Sequence, residues 1–332
     1  MPGFSGGMTA DPFSGSAFGP ACPPVQPPTL FPGSTAVSPG LVTEPPLKLF
    51  QNIRIEGTYI GDDNDMTGLG IVEGEVATTM AYPNFAYSGQ PLLISPGFNM
   101  TFFSGPQSVP AVAPIPPAPP VPSPFPADLP ARVYGAWVDF GWFPTSRFAP
   151  QVSYELTTRI GVYSDFQAFN EDSLRTMGTA LVKLRITPTL TAKAGVEYID
   201  RADIKLLPAG GVLWTPNAHT RWDIYFPRPK LATYFTTLGN TEFWWYVGGE
   251  YGGDNWTIER TDFNDPAQPT FDDRVDYNDF RAAIGIEWFN PYGVKGFVEG
   301  GYLFEREVVY VERPQDSFSP DETFMIRAGL AY

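Results

Sequence analysis

The chain carries one cysteine, Cys22, and one histidine, His219. A single thiol permits no intrachain disulfide and no cysteine-built metal cluster. Charge is also scarce: Asp, Glu, Lys and Arg make up 17% of the residues, where a soluble domain has about 25%. The charge present leans acidic, to a formal net value of −15, which disfavours the phosphates of nucleic acid as partners. No run of about 18 apolar residues occurs, so no ordinary membrane-spanning helix is encoded. The first twenty residues have neither a basic start nor an apolar stretch, and no signal peptide is legible in them. The "FGPA" before Cys22 lacks the apolar segment that a lipid-anchor signal needs.

What the chain has in quantity is glycine (33), proline (37) and aromatic rings (15% of residues). Residues 1–46 are rich in Pro, Gly and Ser without periodicity and read as a flexible leader. From Leu47 the text becomes a series of segments with period-two alternation, the signature of strands. They fall at 47–60, 67–80, 92–103, 132–143, 150–165, 175–187, 190–200, 210–215, 220–226, 229–238, 241–252, 254–262, 275–289, 294–311 and 322–332. Turn signals such as "GDDND", "GGDN", "LGNT" and "NPYG" separate them, and no helix of useful length is legible. One interruption, 104–131, holds proline at a density that excludes helix and central strand and predicts an extended loop. Residues 47–103 hold too few strands to bury a core alone, so 47–332 reads as one all-β unit.

The position of charge within the strands points to the solvent. Val152, Tyr154, Leu156, Thr158 and Ile160 share one parity, against Glu155, Thr157 and Arg159 on the other. Lys183 and Arg185 oppose Val182, Leu184 and Ile186; Lys193 and Glu197 oppose Ala192, Ala194 and Val196. Arg281 and Glu287 oppose Phe280, Ile284, Ile286 and Trp288, and Glu299, grouped with Glu305, opposes Val298, Tyr302 and Phe304. A soluble sandwich also alternates. These strands, however, repeatedly exceed the 5–6 residues usual in globular sheets and suit the roughly 9–11 needed to cross a bilayer obliquely. The polar faces mix long charged chains with Gly and Ala, as a barrel interior requires. Rings gather at strand ends, at Trp142–Phe143, Trp214, Trp222, Trp256, Trp288–Phe289 and Tyr292, where headgroup-level girdles form.

The expectation is a single transmembrane antiparallel up-and-down β-barrel of about 12–14 strands, even in number so that both termini share a side. Its partners are then outer-membrane lipid and small polar solutes; nucleic acid is not among them. Fifteen segments exceed an even count, and the short pair 210–215 and 220–226 is the first to question. Glu155, Arg159, Lys183, Arg185, Lys193, Glu197, Arg281, Glu287, Glu299 and Arg327 are the expected lumen-lining residues, as ion pairs satisfying one another or as a charge filter.

The stretches "AGVEYIDRADIKLLPAGGVLWTPN" (194–217), "FPRPKL" (226–231), "EYGGDNWTIER" (250–260) and "GFVEGGYLFEREVVY" (296–310) resemble an uncharacterised family of predicted bacterial outer-membrane β-barrels. The resemblance spans 47–332, is best in the C-terminal half, and implies a fold and an outer-membrane location but no chemistry. The last segment, "ETFMIRAGLAY", also looks like the C-terminal signal read by the barrel-assembly machinery, through Phe324, Ile326, Leu330 and Tyr332. Arg327 sits on its opposite face.

Nothing in the chain assembles into catalytic or cofactor chemistry. His219 lies in a turn with no nucleophile motif, which leaves no catalytic residue and no enzyme activity to expect. "GDDNDMTG" (61–68) misses the calcium-loop spacing and has no Glu at the twelfth position, and it reads, like 263–279, as an acidic loop. No metal and no cofactor are expected. A solute-conducting, porin-like barrel is the leading function; a structural or surface-interaction barrel is the alternative, and a lipid- or peptide-processing enzyme ranks below both. The oligomeric state is not encoded legibly.

Overall fold

The structure, a computed structural model, describes residues 52–62, 67–106, 127–262, 270–290 and 293–332. The leader 1–46, Cys22, Tyr292, the centre of the Pro-rich segment and parts of both acidic loops lie outside the described residues. Fourteen strands run in order: β1 (Asn52–Ile60), β2 (Gly70–Tyr82), β3 (Leu92–Ser104), β4 (Arg132–Trp142), β5 (Val152–Ser164), β6 (Leu174–Thr187), β7 (Leu190–Tyr198), β8 (Leu206–Asn217), β9 (Thr220–Phe226), β10 (Lys230–Leu238), β11 (Thr241–Thr261), β12 (Thr270–Phe289), β13 (Lys295–Tyr310) and β14 (Thr323–Ala331). Each pairs antiparallel with its neighbours in sequence, and β14 pairs with β1 to close the ring. The chain is a transmembrane up-and-down β-barrel.

The surplus strand of the sequence reading lies in β11, not in the short pair, which stands as β8 and β9. Segments 241–252 and 254–262 are one strand, in register with β12 throughout. "GGDN" looked like a turn because two glycines precede Asp-Asn. Gly253 does bend the backbone, at φ +106, and a Cβ there would lie 1.9 Å from the Tyr277 carbonyl oxygen. The glycine thus permits a kink inside a continuous strand.

The outer surface is a belt of apolar side chains. Ile55 is 58% exposed, Ile284 61% and Ile326 60%, and Val72, Val76, Val182, Ile160 and Leu330 join them. Water would penalise such a continuous band, whereas acyl chains solvate it. Two-residue turns at 188–189, 218–219 and 239–240 lie at one end, and the longer connections 165–173 and 311–322 lie at the other. Short turns belong to the periplasmic side of such barrels. Trp142, Trp214, Trp222 and Trp288 stand near that end, with Trp214 and Trp222 edge to face at 5.1 Å. Near the opposite end stand Tyr59, Phe102, Tyr134, Phe166, Tyr302 and Phe324. Trp256 is a correction to the expected girdle: it is 3% exposed and faces inward, as its parity on β11 dictates.

Glu305 is a second correction. It was grouped with Glu299 on the inner face, but β13 bulges here: the register with β12 slips between Asn278 and Phe280, and Glu305 adopts φ +49. The extra residue reverses the parity, so Glu305 is exposed and Arg306, Val308 and Tyr310 point inward.

The barrel is not a uniform tube. β10 is short and covers β11 only as far as Gly248. Beyond that point the free edge of β11 crosses to β5, where Thr257 pairs with Ser164 in parallel. The Asp165 backbone N–H donates to the Thr257 carbonyl at 3.2 Å, and the Glu259 N–H donates to Asp165 Oδ2 at 3.0 Å. This seam divides the extracellular half into two lobes. The lobe of β11–β14 and β1–β5 is filled by Trp137, Tyr163, Trp256, Ile258, Leu303 and Met325 with their neighbours, an apolar core sealed against water. The other lobe, between the seam and β6–β10, holds a much smaller apolar cluster of Leu181, Ala209 and Tyr225.

Candidate functional site

The ten expected inner residues separate onto two walls. Glu155, Arg159, Lys183, Arg185, Lys193 and Glu197 lie on β5–β7; Arg281, Glu287, Glu299 and Arg327 lie on β12–β14. The structure pairs nearly all of them: Lys183–Glu155 and Arg327–Glu299 join residues of the ten, and the others use partners outside it, Glu287 reaching Lys230 of β10.

On the β12–β14 wall, Arg327 faces Glu299 across the register of β13 and β14, with Nε 2.6 Å from Oε1. Its Nη1 lies 3.1 Å from Glu250 Oε2, and Glu56 stands 3.9 Å away. Tyr246 on β11 donates its hydroxyl to Glu299 Oε2 at 2.6 Å, reaching over β12 at Gly285. A Cβ on Gly285 would lie 2.7 Å from that hydroxyl, so the missing side chain creates the passage. Glu287 pairs with Lys230, and Arg281 with Asp279 at 2.7 Å. The Arg327–Glu299 pair is buried, its side chains 1% and 0% exposed, while Arg281 keeps 10%.

On the β5–β9 wall the pairs are wetter. Lys183 pairs with Glu155, and their side chains are 24% and 16% exposed. Lys193 bonds both oxygens of Asp223, at 2.8 and 2.6 Å, across Gly211 of β8, its register partner. Arg159 grips Asp139 in a bidentate fork at 2.6 and 2.9 Å and lies over the Trp137 ring at 4.4 Å. Glu197 accepts from Arg228 at 2.5 Å. Beside them a cavity of about 70 Å³ is lined by Asp139, Thr157, Arg159, Met177, Thr179 and Glu197, room for ordered water or a small polar group. Arg185 differs from the rest: it is exposed at the periplasmic end of β6, where the register with β7 slips between Arg185 and Thr187.

Over this lobe, the loop between β7 and β8 reaches the kinked part of β11. Arg201 donates to the carbonyls of Gly252 at 2.6 Å and Gly253 at 2.8 Å, and to Asn278 Oδ1 at 2.7 Å. The Asn255 amide donates back to the Asp200 carbonyl at 2.7 Å. The loop is a tied cap.

The partners Asp139, Asp223, Arg228, Lys230, Glu250 and Glu56 are not among the ten residues expected from the sequence. Asp139 was findable, since it is the one charge of inward parity inside β4 and register places it opposite Arg159. Arg201 and Arg228 carry no such signal, because loops have no parity. His219 sits at the β8–β9 turn with its ring 4.8 Å from Tyr234. Among the described residues no three His, Cys, Asp or Glu side chains are grouped to hold a metal ion.

No family model matches the chain, and no curated protein matches it. Among solved structures it is similar to an outer-membrane channel from Pseudomonas putida F1, at 11% identity and TM-score 0.38, over 86% of this chain and 96% of that one. It is similar also to the beta domain of the Bordetella autotransporter Brka, at 10% identity and TM-score 0.34, over 85% and 97%. A third is Pseudomonas putida OprB, at 9% identity and TM-score 0.29, over 85% and 91%. Likeness at this level adds nothing to what the closed ring of strands and its apolar belt already establish.

Proposed function

We propose that the protein is a bacterial outer-membrane barrel that passes small polar solutes along the β5–β9 wall and has no chemistry of its own. One contrast carries this reading. The Lys183–Glu155 pair of β5 and β6 keeps 24% and 16% of its side chains in contact with solvent, while the Arg327–Glu299 pair on the opposite wall keeps 1% and 0%. Interior charge that serves packing alone is buried and fully satisfied; charge along a water-filled path stays wet. The cavity beside Arg159 lies on the same wall.

A second reading, a non-conducting structural barrel, draws support from the seam at Ser164 and Thr257 and from the cap at Arg201. Planar-bilayer recording of the purified, refolded barrel separates the two. Discrete current steps are expected; a folded, inserted barrel that carries no current at any voltage contradicts conduction and leaves the structural reading.

A further inference from the structure

The hairpin of β9 and β10 is too short to reach the outer face of the membrane. Trp214 of β8 and Trp222 of β9 are register partners and stand in the periplasmic ring of aromatics. On β4 eight residues lead from Trp142 in that ring to Tyr134 in the outer one, whereas β9 ends at Phe226, four residues past Trp222. Four residues of a tilted strand climb ~10 Å, against an apolar band about 25 Å tall. The tip of the hairpin, at Pro227, Arg228 and Pro229, therefore lies inside the band. Above it the flanking strands lose a neighbour. Pairing of β8 with β9 stops at Gly210 and Phe226, so among the described residues 206–209 have no strand on that side. On β11 the Gly249 N–H donates to the Pro229 carbonyl, and the next group tied on that edge is the Gly252 carbonyl, held by Arg201.

The gap is a window in the wall, four residues of β8 against two of β11, or roughly 13 and 7 Å of strand. Pro208, Pro227 and Pro229 stand on its frame, and a proline offers no N–H to which another strand could pair. Open backbone edges at hydrocarbon depth occur only where protein covers them or where they line a cavity. Leu206 and Phe226 face outward from the frame and are exposed; Leu207, Ala209 and Tyr225 face inward and are buried. Just inside, Arg228 of the hairpin tip donates to Oε1 of Glu197, the register partner of Leu207. Glu197 Oε2 is buried without a hydrogen-bond partner, and Glu197 also lines the cavity beside Arg159. A buried carboxylate oxygen left so is costly until a donor reaches it.

We infer that the window is a lateral portal, through which small amphipathic molecules pass between the outer leaflet and the smaller lobe of the lumen. Their apolar part is one ring or one short chain, and their polar end is a hydroxyl or amine. The apolar part crosses between Leu206 and Phe226 on the lipid side and Leu207 and Tyr225 within. The donor meets Glu197 Oε2. Arg201 holds the top of the frame and sets its height. Nothing in the portal requires current along β5–β9.

The barrel in phosphatidylcholine vesicles is photolabelled with a lipid-dissolved phenyl diazirine, a single apolar ring, and labelled residues are read by mass spectrometry. Outward Leu206 and Ile284 take label with or without a window. Label is also expected at inward Leu207 and Tyr225, severalfold above inward Leu213, which lies further down β8 where the sheet is complete. Arg201→Ala is expected to raise the label at Leu207 severalfold and to leave Leu213 unchanged; the wild-type pattern decides even where that variant folds poorly. Phenol, compared with toluene at equal concentration in the membrane, is expected to displace the Leu207 label about tenfold more effectively, the worth of one hydrogen bond to a carboxylate. Label confined to outward residues overturns the portal. Label at Leu213 equal to that at Leu207 also overturns it, since the ring then enters by the periplasmic mouth. Equal displacement by phenol and toluene overturns the role of Glu197. Inward label at Leu207 in a barrel that carries no current supports the portal while conduction fails, and a conducting barrel labelled only outside does the reverse.

Discussion

Ser164 on β5 and Thr257 on β11 pair across the barrel, although five strands, β6–β10, separate them along the shorter way round the ring. The pairing cinches nine strands around an apolar core and leaves β6–β10 to wall a separate lobe. On this account the seam is a fixed partition, not a gate. The double variant Ser164→Cys/Thr257→Cys in a Cys22→Ser background forms a disulfide on mild oxidation, seen as a mobility shift on a non-reducing gel. Conductance before and after oxidation is expected to be the same, because the path lies on the other side of the seam.

The two walls differ in what their ion pairs do for stability. Arg327→Ala strands Glu299, Glu250 and Glu56 in a dry interior and is expected to cost about 3–5 kcal/mol. Lys183→Ala, at a solvated pair, is expected to cost less than about 1 kcal/mol. Urea unfolding in lipid vesicles, followed by the heat-modifiable gel band, measures both.

Arg201 ties the β7–β8 loop to the backbone of β11 through two carbonyls and to Asn278 of β12. Arg201→Ala releases those three bonds without touching the β5–β9 ion pairs. Single-channel conductance is expected to rise and to become noisier as the cap loosens. An unchanged conductance places the narrowest point elsewhere on the wall.

At the other end of the chain, Tyr332 and Ile53 exchange both backbone hydrogen bonds, at 2.9 and 3.0 Å, and extend the closing seam of β14 and β1 by one residue. Deleting Tyr332 removes that pair and an exposed ring. The expected effect is slower insertion, measured as accumulation of the unfolded gel form in envelopes, with normal conductance in the barrels that do insert.

How far the sequence reads ahead of the fold depends on parity. "ETFMIRAGLAY" is legible as the closing strand because alternation alone decides which side of a strand each residue takes; in the structure Phe324, Ile326, Leu330 and Tyr332 are exposed and Arg327 is buried. The inner assignment of Lys183, Lys193, Glu155 and Glu197 followed by the same rule. Parity fails where the backbone breaks step: Glu305 sits in a bulge, and the Gly253 kink imitates a turn. It is silent on contacts across the barrel. Ser164 and Thr257 are 93 positions apart in ordinary strand text, and nothing local marks them as partners. The two-lobed lumen, and with it the division of the charged residues into a wet wall and a dry one, becomes visible only once the ring is closed.

The location of the path is the central claim, and cysteine accessibility tests it most directly. Thr157→Cys and Thr179→Cys face the cavity on the wet wall; Ile258→Cys and Met325→Cys face the sealed lobe. All four are made in a Cys22→Ser background and treated, during bilayer recording, with a negatively charged methanethiosulfonate. Current is expected to fall sharply at Thr157→Cys and Thr179→Cys and to hold steady at Ile258→Cys and Met325→Cys. Block at the sealed-lobe positions, with none at the wet wall, contradicts the account.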